Sequence, residues 1–322
     1  RSMKRAFLFP GQGAQYPGMG KDLYEESTRA RELFTTATRI AGFDVPDLIF
    51  NGSEEDLKAT DKTQIAITVV NLAAAAVVEE RGLPSHGAAG FSLGEYAALV
   101  DAGVLRPEDA FAAVRERGAL MEEASRALDS DSGSAGMVAA IGKDYSEIVA
   151  ILDEIGLPNA YPAIYNSPVQ TVIGCDAQAL SALPEKLKAH GIKRVIPLKV
   201  SGPFHTPLME QARVEFAKVL RGIDFSDPRK PVYSNVTGGQ VAGGEEARER
   251  CLEQLVSTVM WTREEETLLS EGYRQLLEVG PGTVLAGLWR AYAKSAGMQA
   301  PHVVSAGTLT DITDVEGEEH AS

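Results

Sequence analysis

The pentapeptide Gly90-Phe91-Ser92-Leu93-Gly94 constrains this chain more than any other stretch. An apolar run, His86 to Phe91, precedes the serine and reads as a short buried strand. Leu93 to Val100 follows it with helical composition. Strand, G-x-S-x-G and helix in that order form a nucleophile elbow. The glycines permit a sharp turn and keep side chains away from the serine. The turn lifts Oγ clear of the backbone and points a helix N-terminus, with its free N–H groups, at any oxyanion formed there. The competing reading is a tight strand–helix turn in which Ser92 only caps the helix.

The flanking segments alternate strand and helix, which predicts a parallel sheet covered on both faces. Strand 5–9 runs into the glycine-rich loop 10–15. Neither the dinucleotide fingerprint nor the P-loop fits, since no Lys-Ser/Thr follows. What remains is a loop whose bare backbone can approach something closely. Helices are predicted over 21–28, 30–41 and 64–78. Pro107 opens another, whose apolar stripe runs Ala110, Ala113, Val114, Gly118, Met121 with Arg117 inside it. A buried arginine needs an anion. A protein carboxylate in a structural ion pair and a ligand carboxylate held by the guanidinium fork both satisfy that need.

Past a polar linker at 129–134, strands and helices from 137 to 200 follow the order β-α-β-β-α-β, the split motif of a small ferredoxin-like domain. It reads as an insertion. The larger unit resumes with helix 208–220, strand 232–234, helices 245–257 and 263–270, strand 275–279, helix 283–293 and strand 302–304. The expected boundaries are 3–133 with 201–307 for the large subdomain and 134–200 for the small one. An acidic, frayed tail is expected over 308–322.

Composition narrows the functional classes. With 322 residues, 44% hydrophobic and 24% charged, the chain can bury a large core. No apolar run approaches the length of a membrane span, and the Ala-rich segment 64–78 reads as a buried core helix. No secretory signal is read at the N-terminus, where Arg1-Ser2 looks like a cloning remnant. The two cysteines, Cys175 and Cys251, build neither a disulfide framework nor a metal site, which fits a reducing cytoplasm. A net charge of −14 argues against nucleic acid as the main partner.

A serine hydroxyl needs a base. Of five histidines, His320 is in the tail, His190 ends a helix, His86 begins the elbow strand at the wrong end, and His302 precedes an apolar strand. His205 lies in a Gly/Pro-bounded loop after a predicted strand, where sheet enzymes place their chemistry. It is the candidate base, against the general expectation that a lone histidine is structural. No carboxylate between Ser92 and His205 stands out as a third member, so a backbone carbonyl orienting the imidazole is the preferred arrangement.

At this point the motifs resemble a family. Phe-Pro-Gly-Gln-Gly-Ala-Gln at 9–15, Gly-Phe-Ser-Leu-Gly-Glu-Tyr at 90–96, Arg117-Gly118, Asn166-Ser-Pro168, Gly202-Pro-Phe-His-Thr206, Gln254-Leu255 and Val279-Gly-Pro-Gly282 occur in order. Together they are similar to the malonyl-CoA:acyl-carrier-protein transacylases of fatty acid synthesis, a fold shared with polyketide synthase acyltransferases. The resemblance implies an α/β fold, with an α/β-hydrolase-like parallel sheet core and an inserted ferredoxin-like subdomain. It implies Ser92 as nucleophile, His205 as base, and the Gln254 carbonyl as orienter. It further implies main-chain N–H groups of Gln12 and Leu93 as the oxyanion hole. Arg117 would grip the malonyl carboxylate, Asn166 would line the cleft, and Phe204 would crowd a methyl branch. The implied reaction is ping-pong transfer from malonyl-CoA to the phosphopantetheine thiol of acyl carrier protein, by a cytoplasmic monomer needing no cofactor, metal, nucleic acid or membrane.

Two positions depart from the family pattern. Phe91 stands where histidine is common, and Ile164 where asparagine is common. Because the carrier is acidic in this family, a local basic patch is required, with Lys186, Lys188, Lys193, Arg194 and Lys199 as candidates. A serine esterase or thioesterase, a non-catalytic carrier-binding module and a polyketide acyltransferase are the rival functions.

Overall fold

The computed structural model describes residues 3–200, 202–299 and 302–321. Arg1-Ser2, Ser201, Ala300-Pro301 and Ser322 lie outside the described residues. The chain begins with β1 (Arg5–Phe9), followed by helices α1 (Lys21–Glu26), α2 (Thr28–Ala41), α3 (Val45–Asn51) and α4 (Thr60–Glu80). The elbow segment is β2 (Gly87–Gly90) and α5 (Gly94–Asp101), and α6 (Pro107–Arg126) carries Arg117. Next come β3 (Gly136–Ile141), α7 (Tyr145–Ile155), β4 (Ala160–Ser167), β5 (Gln170–Cys175), α8 (Ala177–Ala189) and β6 (Arg194–Leu198). The chain ends with α9 (Glu210–Arg221), α10 (Gly244–Gln254), α11 (Trp261–Ser270), β7 (Gln275–Glu278), α12 (Val284–Ser295), β8 (His302–Ser305) and α13 (Leu309–Ala321).

Two sheets organise these elements. The first has the order β2-β1-β7-β8, every neighbouring pair parallel. Its β1 is buried along its whole length, as a strand covered on both faces must be. The second has the order β4-β5-β3-β6, every pair antiparallel, and a core of its own around Val138, Ile148, Ile173 and Leu183. That is the ferredoxin-like arrangement, so the α/β class and both sheet types match the sequence reading. The predicted strand 232–234 forms only bridges, Val232 to Ala88 and Tyr233 to Gln240.

Three expectations need correction. The acidic tail is not frayed: α13 packs back with Ile312 and Val315 buried. It is held by ion pairs Arg5–Glu319 at 3.3 Å and Arg81–Glu316 at 2.9 Å, and by the Leu309 N–H donated to Asp22 at 2.6 Å. Second, helix α3 was not foreseen. Its start is signalled by Asp44, which caps the Asp47 N–H, and by Pro46 in the first turn. Third, α4 has the length and composition of a membrane span. Every side chain from Thr63 to Val78 is nevertheless buried inside the fold. It is a core helix, and its apolar surface is spent against α2, α5 and α6.

Candidate active site

Register between β1 and β2 sets the elbow. Phe9 pairs with Gly90, and the Phe91 N–H bonds the Phe9 carbonyl at 2.9 Å. The strand then stops and the chain reverses into α5. A Cβ at Gly90 would lie 2.0 Å from the Gly94 backbone, and one at Gly94 would lie 2.1 Å from the Phe9 carbonyl oxygen. Both glycines are therefore required by close approach, not only by flexibility. Ser92 sits between them at φ 53°, a left-handed conformation that costs a non-glycine residue on the order of 1 kcal/mol or more.

His205 arrives from the other side, on the loop between β6 and α9. Its φ of 63° is also left-handed. Thr206 fixes the loop, its hydroxyl donating to the Pro203 carbonyl at 2.7 Å. The two strained residues meet: Ser92 Oγ and His205 Nε2 are 2.7 Å apart. His205 Nδ1 lies 2.8 Å from the Gln254 carbonyl oxygen. A carbonyl only accepts, so Nδ1 carries the proton and Nε2 is left as the acceptor of the serine proton. Burial, aided by the nearby Arg117 charge, pulls the His205 pKa down from 6.5 to about 4. The imidazole is therefore neutral, and ready to act as a base, across the physiological range.

Arg117 is 1% exposed. It donates to Gln64 Oε1 at 2.9 Å and Gln254 Oε1 at 3.0 Å, with a longer contact to Ser92 Oγ at 3.4 Å. All three partners are neutral. Among the described residues no carboxylate comes within ion-pair distance, and Nε has no partner at all. Burial lowers the Arg117 pKa. Of the two sequence readings of this residue, the internal ion pair is absent.

Gln12 shares a cavity wall with Ser92 and Leu93 follows the serine in the chain, and among the described residues neither main-chain N–H donates to a protein acceptor. A cavity of about 480 Å³ opens beside them, lined by Gln12, Phe91, Ser92, Ile164, Phe204 and His205, with Lys58 and Lys199 also on its wall. Asn166 is not on that wall. It occupies a register shift between Tyr165 and Ser167 in the β4–β5 pairing, and such a bulge re-aims the side chain. Ile164 takes the place expected of it. Phe91 packs edge-to-face on Trp261 with centroids 5.3 Å apart. Lys186, Lys188, Lys193, Arg194 and Lys199 are all exposed, and none pairs with a described carboxylate. No group of three or more His, Cys, Asp or Glu side chains among the described residues could hold a metal.

Sequence reasoning missed Gln64 and Asn235. Gln64 is one of several polar residues buried on α4, with Thr63, Thr68 and Asn71, and nothing in the sequence sets it apart from them.

The acyl transferase domain model matches residues 6–317. The malonyl CoA-acyl carrier protein transacylase of Bacillus subtilis is 39% identical over 287 residues, covering 88% of this chain and 89% of that protein. The chain belongs to the malonyl CoA-acyl carrier protein transacylase family. It is thus an acyltransferase. The family's structures superpose closely. MCAT from Streptococcus pneumoniae gives a TM-score of 0.90 at 35% identity, covering 98% of this chain and 100% of that one. The malonyl-transacylase PlMCAT, solved with the type II PKS acyl-carrier protein AntF, gives 0.89 at 34% identity, covering 98% and 99%.

Proposed function

We propose that the chain transfers a malonyl group from malonyl-CoA to the phosphopantetheine thiol of an acyl carrier protein, through an ester on Ser92. The observation that carries the malonyl specificity is Arg117: a buried guanidinium bonded only to neutral groups, 3.4 Å from the serine oxygen. A substrate carboxylate would supply the missing anion.

The steps follow from the contacts. His205 Nε2 takes the Ser92 proton as Oγ attacks the thioester carbonyl. The oxyanion rests on the Gln12 and Leu93 N–H groups. Collapse breaks the C–S bond, and His205 gives the proton to the departing sulfur, so that CoA leaves as the thiol and the imidazole is neutral again. The carrier thiol then gives its proton to His205, attacks the serine ester, and the returning proton restores Ser92. The Gln254 carbonyl holds the ring throughout. Phe204, on the cavity wall, limits branching at the carbon beside the carboxylate. Both cysteines are buried free thiols, which supports work in a reducing cytoplasm.

Fatty acid synthesis is the favoured pathway because the motifs at 9–15, 90–96 and 202–206 resemble those of the transacylases of that pathway. Service to a polyketide carrier is the second reading, favoured by the likeness to PlMCAT with its type II PKS carrier. The test is transfer from malonyl-CoA to holo-carriers of each kind. Malonyl-carrier should form with a phosphopantetheine-bearing carrier and not with the bare apo-carrier. Release of free malonate at the same rate without any carrier would instead make this an esterase.

A further inference from the structure

The residue that holds the elbow and the base in register is not among the groups the reaction uses. We infer that Asn235 is a positioning residue for both Ser92 and His205, an inference that rests on the serine-ester mechanism above. Asn235 is 0% exposed, and every polar atom it has is satisfied. Its Oδ1 accepts from the Ser92 N–H at 2.7 Å and from Gln254 Nε2 at 2.9 Å. Its Nδ2 donates to the Gly90 carbonyl at 2.8 Å and to Glu264 Oε2 at 2.7 Å. Its main-chain N–H donates to Glu95 Oε1 at 2.6 Å, and its carbonyl accepts from the Met260 N–H at 2.8 Å. The amide orientation is unambiguous, since the Ser92 N–H can only donate and the Gly90 carbonyl can only accept.

Two consequences follow. The side-chain amide spans the carbonyl of residue 90 and the N–H of residue 92, as a neighbouring strand would, and so clamps the turn in which Ser92 is strained. Through Gln254 the same oxygen reaches the base. Gln254 Nε2 also donates to the Ser92 carbonyl at 3.0 Å, its Oε1 accepts from Arg117, and its main-chain carbonyl orients His205. One buried amide therefore ties nucleophile, base and guanidinium together. A clamp of this kind acts on geometry, and a 1 Å misplacement of reacting groups costs about 100-fold in rate.

The test is the rate of malonyl-serine formation from malonyl-CoA, read by mass in wild type, Asn235→Ala and Asn235→Asp. Asn235→Ala should slow acylation about 100-fold while the KM for malonyl-CoA changes less than about two-fold. Asn235→Asp keeps the acceptor oxygen but loses both donors while ionised. Protonated, it regains one, so its acylation rate should climb toward the wild-type value as pH falls from 7 to 5.5, a range below the titration of Glu95 at about 8 and above that of His205 at about 4, over which wild type stays flat. Acylation at the wild-type rate in Asn235→Ala overturns the inference. So does a flat pH profile in Asn235→Asp, which remains decisive if the alanine variant does not fold. Absence of any adduct in wild type would instead overturn the serine-ester reading.

Discussion

The Arg117 guanidinium stands 3.4 Å from the Ser92 hydroxyl and has no carboxylate partner among the described residues. A buried cation so placed is costly unless something anionic visits it. Arg117→Ala should therefore lower kcat/KM for malonyl-CoA about 100-fold, the loss of a charge-assisted bond near 3 kcal/mol. Acetyl-CoA, which lacks the second carboxylate, should lose far less. Comparing the two substrates in steady-state assays separates recognition from folding, and equal losses would assign Arg117 to structure.

The His205 imidazole, drawn to about 4 by burial, sets the acid limb of the rate profile. A base works only when neutral, so activity holds above its pKa and falls below it. Acylation should stay level from pH 7 down to about 5 and drop by half near 4. Stopped-flow mixing with malonyl-CoA in a buffer series reads this directly. A midpoint near 6.5, the ordinary histidine value, would show that the ring is solvated in the working enzyme.

Gly11 lies where a Cβ would come within 2.4 Å of the Phe91 carbonyl oxygen. Gly11→Ala must push the loop away and carry the Gln12 N–H with it. The loss of one oxyanion donor predicts a fall of about 100-fold in kcat with little change in the KM for malonyl-CoA. Steady-state kinetics on the purified variant gives both numbers.

Lys193 and Arg194 lie at the exposed start of β6, away from the cavity wall. If they attract an acidic carrier, Lys193→Glu with Arg194→Glu should raise the KM for the carrier about ten-fold at low salt, and leave that for malonyl-CoA unchanged. The difference should shrink as salt is added.

How much of this was legible in the sequence depends on how local the cause is. The elbow was, because its glycines, strand and helix sit within fifteen residues. The ferredoxin-like order was, because period and length alone mark its strands. His205 emerged by elimination among few histidines. The Gln254 carbonyl came only through resemblance, since any residue offers a carbonyl and only tertiary packing selects one. Asn235 and Gln64 were missed for the same reason: an amide announces nothing about its partners until the chain closes. Asn166 lies off the cavity wall, at a one-residue bulge of β4 that leaves no mark in the composition. In the tail, acidity drew attention from the stripe Leu309, Ile312, Val315, whose helical spacing was already present.

The account stands on an ester at Ser92. Mixing the protein with malonyl-CoA alone, without carrier, and mapping the product by peptide mass tests it most directly. The peptide containing Ser92 should gain the mass of one malonyl group, Ser92→Ala should gain none, and the group should be lost when holo-carrier is added. A missing adduct, or one that persists in Ser92→Ala, would contradict it.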